Sequence, residues 1–249
     1  MKKIHYAPLM NNYRDSYNHP LFEDEVFIKP ERYLTYYKDD HFSHTYWNCH
    51  AWKEYYKNAF VIFCQQDITI DYEKDSGKIS ERSFDGFSFD EGNRNTGIPN
   101  VPIHFNGQQE RPYNGVAIGQ LTEHMFVWVE SKDKNIWVET IQPQNITEKG
   151  MEIIPAEFPF SRWYRPLTFA YKFHKERTTI SRGEPIGILK FKNYNSIRDS
   201  FSLEKTYPSE RLAKKSFNHA TLKNFLPGKS WDLLMNNQES KCPFKNFWK

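Results

Sequence analysis

Thr178–Phe191 reads Thr-Thr-Ile-Ser-Arg-Gly-Glu-Pro-Ile-Gly-Ile-Leu-Lys-Phe. Alternating residues lead into an Arg182-Gly183 turn, and Pro185 fixes the exit. Ile186, Ile188, Leu189 and Phe191 then carry an apolar strand away. Glycine accepts the backbone angles a tight turn demands, and proline sets its own φ while giving up an N–H, so the two together punctuate extended chain. The stretch predicts the closing strands of a β-rich core.

Working outward, the same pattern recurs in Leu167–His174, Met151–Ile154, Asn135–Ile141, Met125–Val129, Val116–Leu121 and Ile103–Phe105. Phe60–Cys64 is densely apolar and Ile68–Tyr72 alternates. After Asp75-Ser-Gly77-Lys the chain returns as Ile79–Phe84, a hairpin signature. Short strands at such intervals, separated by polar turns, suggest a sandwich or barrel. Phe42–Lys57 is the early helix candidate, with Trp47, Ala51, Tyr55 and Ala59 at four-residue spacing. Phe84–Pro102 is rich in glycine and proline and reads as a loop or insertion. Ser209–Phe217 places Ser and Glu first and Lys last, the order the helix dipole prefers. Ser230–Asn236 reads as a second short helix beyond Pro227-Gly228.

The expected architecture is therefore mainly β: an antiparallel β-sandwich or distorted barrel over residues 42–192, with one early helix and a partly helical C-terminal tail. Residues 1–41 carry Pro8, Pro20 and Pro30 among polar residues, which breaks helix and central strand alike. They predict an irregular arm laid over the core, extended only at Glu25–Ile28 and pinned by Tyr33, Tyr36 and Tyr37. Residues 193–249 predict an extension too short and polar to bury a core of its own.

Composition agrees with a sheet core. Of 249 residues only 38% are hydrophobic, but 17% are aromatic, and the mean hydropathy is −0.81. Each ring buries roughly 150–250 Å², so rings and β-branched residues supply what Ala and Leu do not. A net charge of +3 and a pI near 8.5 are too weak for a nucleic-acid protein. No window approaches the ~18 apolar residues of a membrane span. The basic start is followed by Asn11, Asn12, Arg14 and Asp15, so an export signal is not expected. Cys49, Cys64 and Cys242 form neither an even framework nor a Cys-x-x-Cys pair, and reduced, mostly buried thiols are expected. The expected location is the cytoplasm, of a bacterial host if the gene is phage-encoded, or a virus particle.

Four segments together resemble an uncharacterised family, the domain-of-unknown-function family 6065 of bacterial and phage proteins. Cys49–Tyr72 runs from a polar-aromatic stretch into a strand. His124–Gln144 holds a strand followed by Asn135-Ile-Trp-Val-Glu-Thr-Ile-Gln-Pro-Gln-Asn. Ile154–Phe173 contains Phe158-Pro-Phe-Ser-Arg-Trp163 and Arg165-Pro-Leu-Thr-Phe169. Ile180–Phe191 carries the Gly-Glu-Pro turn. The match covers most of residues 49–192. The resemblance implies no catalytic residues, since the family has none assigned. Gly183-x-Pro185-Ile186-x-x-Leu189 also looks like the last strands of β-clip folds such as dUTPases, whose nucleotide-binding motifs are missing here.

The binding candidate is Phe160-Ser-Arg-Trp-Tyr-Arg-Pro166. Arg162 and Arg165 flank Trp163 and Tyr164, a composition suited to gripping an anion, a sugar or a partner chain. The same residues also read as a rigid connection in which Trp163 plugs the core and the arginines pair locally. Trp128 and Trp137 read as core. For a metal, His41, His44, Cys49 and His50 gather N and S donors within ten residues. They read equally as surface or stacked imidazoles, and His104 and His174 are lone strand histidines. No Gly-x-Ser-x-Gly or phosphate-binding loop is present.

Two functions compete on this reading. One is a non-enzymatic binding or assembly protein, of phage origin among other sources, acting through its aromatic/Arg surface and terminal arms. Its partner would be a protein or a second copy rather than nucleic acid, with a small-molecule ligand also compatible and no cofactor predicted. The other is an oxygenase-like enzyme using a divalent transition metal held by His41–His50 with His104 or His174.

Overall fold

The computed structural model describes residues 1–8, 27–38, 48–65, 67–73, 78–83, 117–122, 125–130, 133, 135–163, 168–209 and 212. In chain order the elements are β1 (Lys2–Pro8), β2 (Glu31–Arg32), α1 (Tyr33–Tyr36), α2 (His50–Tyr56), β3 (Ala59–Phe63), β4 (Ile68–Glu73), β5 (Lys78–Ser83), β6 (Ala117–Thr122) and β7 (Met125–Trp128). There follow β8 (Ile136–Ile141), α3 (Gln144–Glu148), β9 (Met151–Ile153), β10 (Ala156–Phe158), a 3-10 turn (Phe160–Arg162), β11 (Thr168–Phe173), β12 (Arg177–Ile180), β13 (Pro185–Asn193) and β14 (Phe201–Lys205).

The chain is mainly β, as expected. The strands form a five-stranded sheet in the order β10-β8-β13-β3-β2 and three three-stranded sheets, β14-β1-β7, β6-β11-β9 and β12-β4-β5. No sheet closes into a barrel among the described residues. The arrangement is sandwich-like, because one core draws on every sheet: Ile4, Val127, Phe60, Val138, Phe191, Phe169, Tyr171, Ile70 and Ile180 all bury into it. Strand alternation produces this directly. Along β8, Ile136, Val138 and Thr140 point inward while Trp137, Glu139 and Ile141 point out.

The 178–191 stretch is the corner of the fold. β12 and β13 do not pair with each other; β12 lies along β4, while β13 lies between β3 and β8. The connections β3–β4 and β12–β13 therefore bend side by side from one sheet to the next. Cys64 N–H donates to the Glu184 carbonyl at 2.9 Å and Gly183 N–H to the Cys64 carbonyl at 2.8 Å, which carries pairing across the bend. Gly183 sits at φ 86°, the left-handed region where a side chain is strained. The Asp67 carboxylate accepts the Arg182 N–H at 2.6 Å and fixes the turn from the opposite segment.

Gly187 is required for a different reason. The tip of the Phe169 ring, from β11, lies where its Cβ would be. Tyr171, two residues along β11 and fully buried, donates its hydroxyl to the Ile186 carbonyl. β11 and β13 are thereby locked face to face.

Both ends of the described chain depart from expectation. Residues 2–8 are not irregular: β1 is the central strand of its sheet, antiparallel to β7 and parallel to β14. That parallel pairing is an exception to an otherwise antiparallel set among the described strands. Phe201, in the span read as an extension, is fully buried in the common core. Lys2 ties the two ends down, meeting Asp133 at 2.6 Å and Asp199 at 2.7 Å. Buried Asn193 donates to both carboxylates.

Of the expected early helix, His50–Tyr56 is present, and residues 41–47 lie outside the described residues. So do the loop expected at Phe84–Pro102, the strand expected at Ile103–Phe105, the turn expected at Asp75–Gly77 and both expected tail helices save Ser209 and Leu212. The β4–β5 hairpin pairs as expected. Cys64 is buried, Cys49 is exposed, and Cys242 is outside the described residues.

Candidate functional site

β13 is apolar from Pro185 to Phe191 but for Lys190. Because strand side chains alternate, Lys190 and Lys192 share the outer face of the five-stranded sheet, opposite Leu189 and Phe191. The register then brings Glu139 of β8 against Lys190 and Trp137 against Lys192. One strand further, Glu157 of β10 stands opposite Glu139. Two facing carboxylates would destabilise the sheet. Lys192 offsets this by bridging them, with Nζ 2.6 Å from Glu139 and 3.1 Å from Glu157.

Lys190 is 8% exposed. Its ammonium lies 3.0 Å from the centroid of the Tyr55 ring on α2 and 3.7 Å from Glu139. Burial pushes its pKa down, against the pull of Glu139, and the Lys192 charge adds to the depression. Burial also acts on Lys192, but its bonds to Glu139 and Glu157 prevail and raise it. Tyr194 closes the other side. Its hydroxyl donates to Glu157 Oε1 at 2.7 Å, its ring meets Trp137 edge to face at 5.8 Å, and it is 61% exposed. The Glu157 bond, then burial, raises the Tyr194 phenol.

The backbone after β13 fixes that ring. Tyr194 N–H donates to Asn135 O at 3.2 Å, and successive turns at Ser196 and Asp199 return the chain toward β14. Lys57, just past α2, donates to Ile197 O at 3.3 Å, so the 194–199 turn and α2 flank the charged cluster together.

On the far side of Tyr55 the sheet is covered by rings. Tyr55 meets Tyr56 at 4.8 Å, Tyr56 stacks on Tyr33 at 4.0 Å, and Tyr33 touches Tyr37 at 4.6 Å. Tyr36 completes the row to Phe63 at 5.2 Å. Beneath them lies a second apolar cluster of Ala59, Val61, Phe63 and Ile188. Helices this short do not stand alone, and α2 has no fully buried residue. Its Trp52 and Tyr56 hold it against Tyr33.

The residues singled out in the sequence fall elsewhere. Trp163 is 6% exposed and packs on Phe158 at 4.7 Å, so it plugs the core and is not a surface ring. Its backbone follows the 3-10 turn ending at Arg162, whose side chain is outside the described residues, as are Tyr164 and Arg165. Trp128 is buried as expected. Trp137 is not core: the β8 alternation turns it to the outer face beside Tyr194. Cys49 and His50 are both exposed at the start of α2. His174 lies 3.3 Å from Glu152, which also takes Lys172 at 3.1 Å. His41, His44 and His104 are outside the described residues. Among the described residues no group of three His, Cys, Asp or Glu is placed to hold a metal.

The Lys190–Glu139–Lys192–Glu157 cluster escaped the sequence reading. Its signal is a charge where an apolar strand should have none: Lys190 between Leu189 and Phe191, and Glu139 between Val138 and Thr140.

Comparison of the chain with protein-family models, curated proteins and solved structures finds no match. No helix among the described residues is long and apolar enough to cross a membrane.

Proposed function

We propose that the chain is a non-enzymatic binding protein whose contact surface is the outer face of the five-stranded sheet between Tyr55 and Tyr194. The supporting observation is a charged cluster that neutralises itself, framed by exposed rings: Tyr55, 46% exposed, at one side and Tyr194 at the other. Rings carrying a polar tip, set among fixed polar groups, are what recognition surfaces use. An acid or base at work needs a side chain left within reach of substrate. Here Lys192 engages both carboxylates, and Tyr55 covers Lys190. The reading keeps the expected class of function and moves its surface from Arg162–Arg165 to this face.

The test is a melting-temperature screen of the wild type and of Tyr55→Ala/Tyr194→Ala against neutral and acidic oligosaccharides, peptides and nucleotides. A ligand that stabilises the wild type and not the double variant is the expected result. Ligands that stabilise both proteins equally place binding elsewhere.

A further inference from the structure

We infer that this face recognises an uncharged oligosaccharide, an inference resting on the reading above that the face is the contact surface. Charge comes first. The four ionic side chains are two ammoniums, Lys190 and Lys192, and two carboxylates, Glu139 and Glu157, within one hydrogen-bonded and ion-paired group. They cancel. An anionic ligand would meet Glu157 at the rim as soon as it reached Lys192, and a cationic ligand the reverse. Neither sign gains the steering that a one-signed surface provides.

The chemistry that remains attractive is neutral and two-sided. A pyranose has a C–H face that packs on an aromatic ring and hydroxyls that both donate and accept. The outer face offers both halves side by side. Tyr194 has its ring orientation set by Glu157 and Trp137, so little freedom is lost when a sugar covers it. Lys192 has three donors and two carboxylate partners. Both bonds to Glu157, from Lys192 and from Tyr194, fall on Oε1, which leaves Oε2 to accept a sugar hydroxyl. Tyr55 offers a second ring beyond Lys190. Rings on both sides of a polar strip suit a chain of sugars better than a single one.

The experiment presents the full chain to an array of neutral and acidic glycans and measures the hits by saturation-transfer NMR at millimolar ligand. Wild type is expected to bind neutral oligosaccharides, and Tyr194→Ala and Trp137→Ala to weaken them at least about tenfold. Glu157→Gln, which keeps the shape of the side chain, should weaken them as well. Unchanged melting temperatures show that the variants fold.

Failure to bind any neutral glycan, or a preference for acidic ones, overturns the inference. A peptide ligand lost in Tyr194→Ala overturns the sugar class while leaving the face as the contact surface. Neutral glycans bound equally by wild type and all three variants overturn both.

Discussion

The tip of the Phe169 ring rests against the α-carbon of Gly187, in the space a side chain would fill. The contact joins β11 to β13, the strand whose other face carries the charged cluster. A methyl group at 187 must push the ring or the strand aside, and overpacking of this kind costs about 1–3 kcal/mol. Gly187→Ala is therefore expected to lower the urea midpoint by that amount. Phe169→Leu should recover part of the loss in a double-mutant cycle. Additive effects of the two substitutions would show that the ring does not brace the strand.

Acid should release the two ends of the fold. Lys2 bonds first, and then Asn135 N–H for Asp133 and Asn193 for Asp199, hold both carboxyls below their ordinary values. A depressed carboxyl contributes its stability above its unfolded pKa, near 4, and loses it as pH falls through the folded value. Lys2→Met is expected to raise the pH of acid unfolding, followed by circular dichroism from about pH 6 to 2. Superimposable curves for variant and wild type would remove this cluster from the account.

How much of this was legible varies with range in sequence. β8 and β11 declare themselves through local alternation, β13 through a dense apolar run behind its Gly-Glu-Pro turn, and the β4–β5 pair through the hairpin pattern around Asp75–Gly77. β1 carries the same alternation, with Ile4 and Tyr6 set off by Lys3 and His5. Pro8 and the polar residues beyond it argue for an irregular arm, and the partner that makes a strand of it, β14, lies at the opposite end of the described chain. The site was hidden for the same reason. Lys190, Glu139 and Glu157 belong to three strands, and only register brings them together. Trp163 kept two readings because an arginine-flanked tryptophan looks the same in sequence whether its ring turns inward or out.

Lys190 is expected to be held at a cost to stability. Its amine is charged in a nearly buried position, and burial, against the pull of Glu139, lowers its pKa. For a lysine shifted downward, the unfolded chain binds more protons, so its contribution to stability rises with pH toward the ordinary value of 10.5. Removing one partner of a buried pair is costly where it strands the other charge, but Glu139 keeps Lys192 at 2.6 Å when Lys190 is replaced. Lys190→Met should leave the melting temperature equal to or higher than that of the wild type near neutral pH and lose that advantage toward alkaline pH. A drop of more than about 2 kcal/mol, beyond ordinary surface effects, would mean that the Tyr55 and Glu139 contacts outweigh the burial.

The contact surface itself is tested most directly by hydroxyl-radical footprinting of the tyrosines with and without neutral oligosaccharides. Tyr55 and Tyr194 frame the cluster, while Tyr207, 49% exposed beyond β14, serves as the control. Ligand is expected to slow oxidation of Tyr55 and Tyr194 together and to leave Tyr207 unchanged. Protection of Tyr207 alone, or of none of the three, would contradict it.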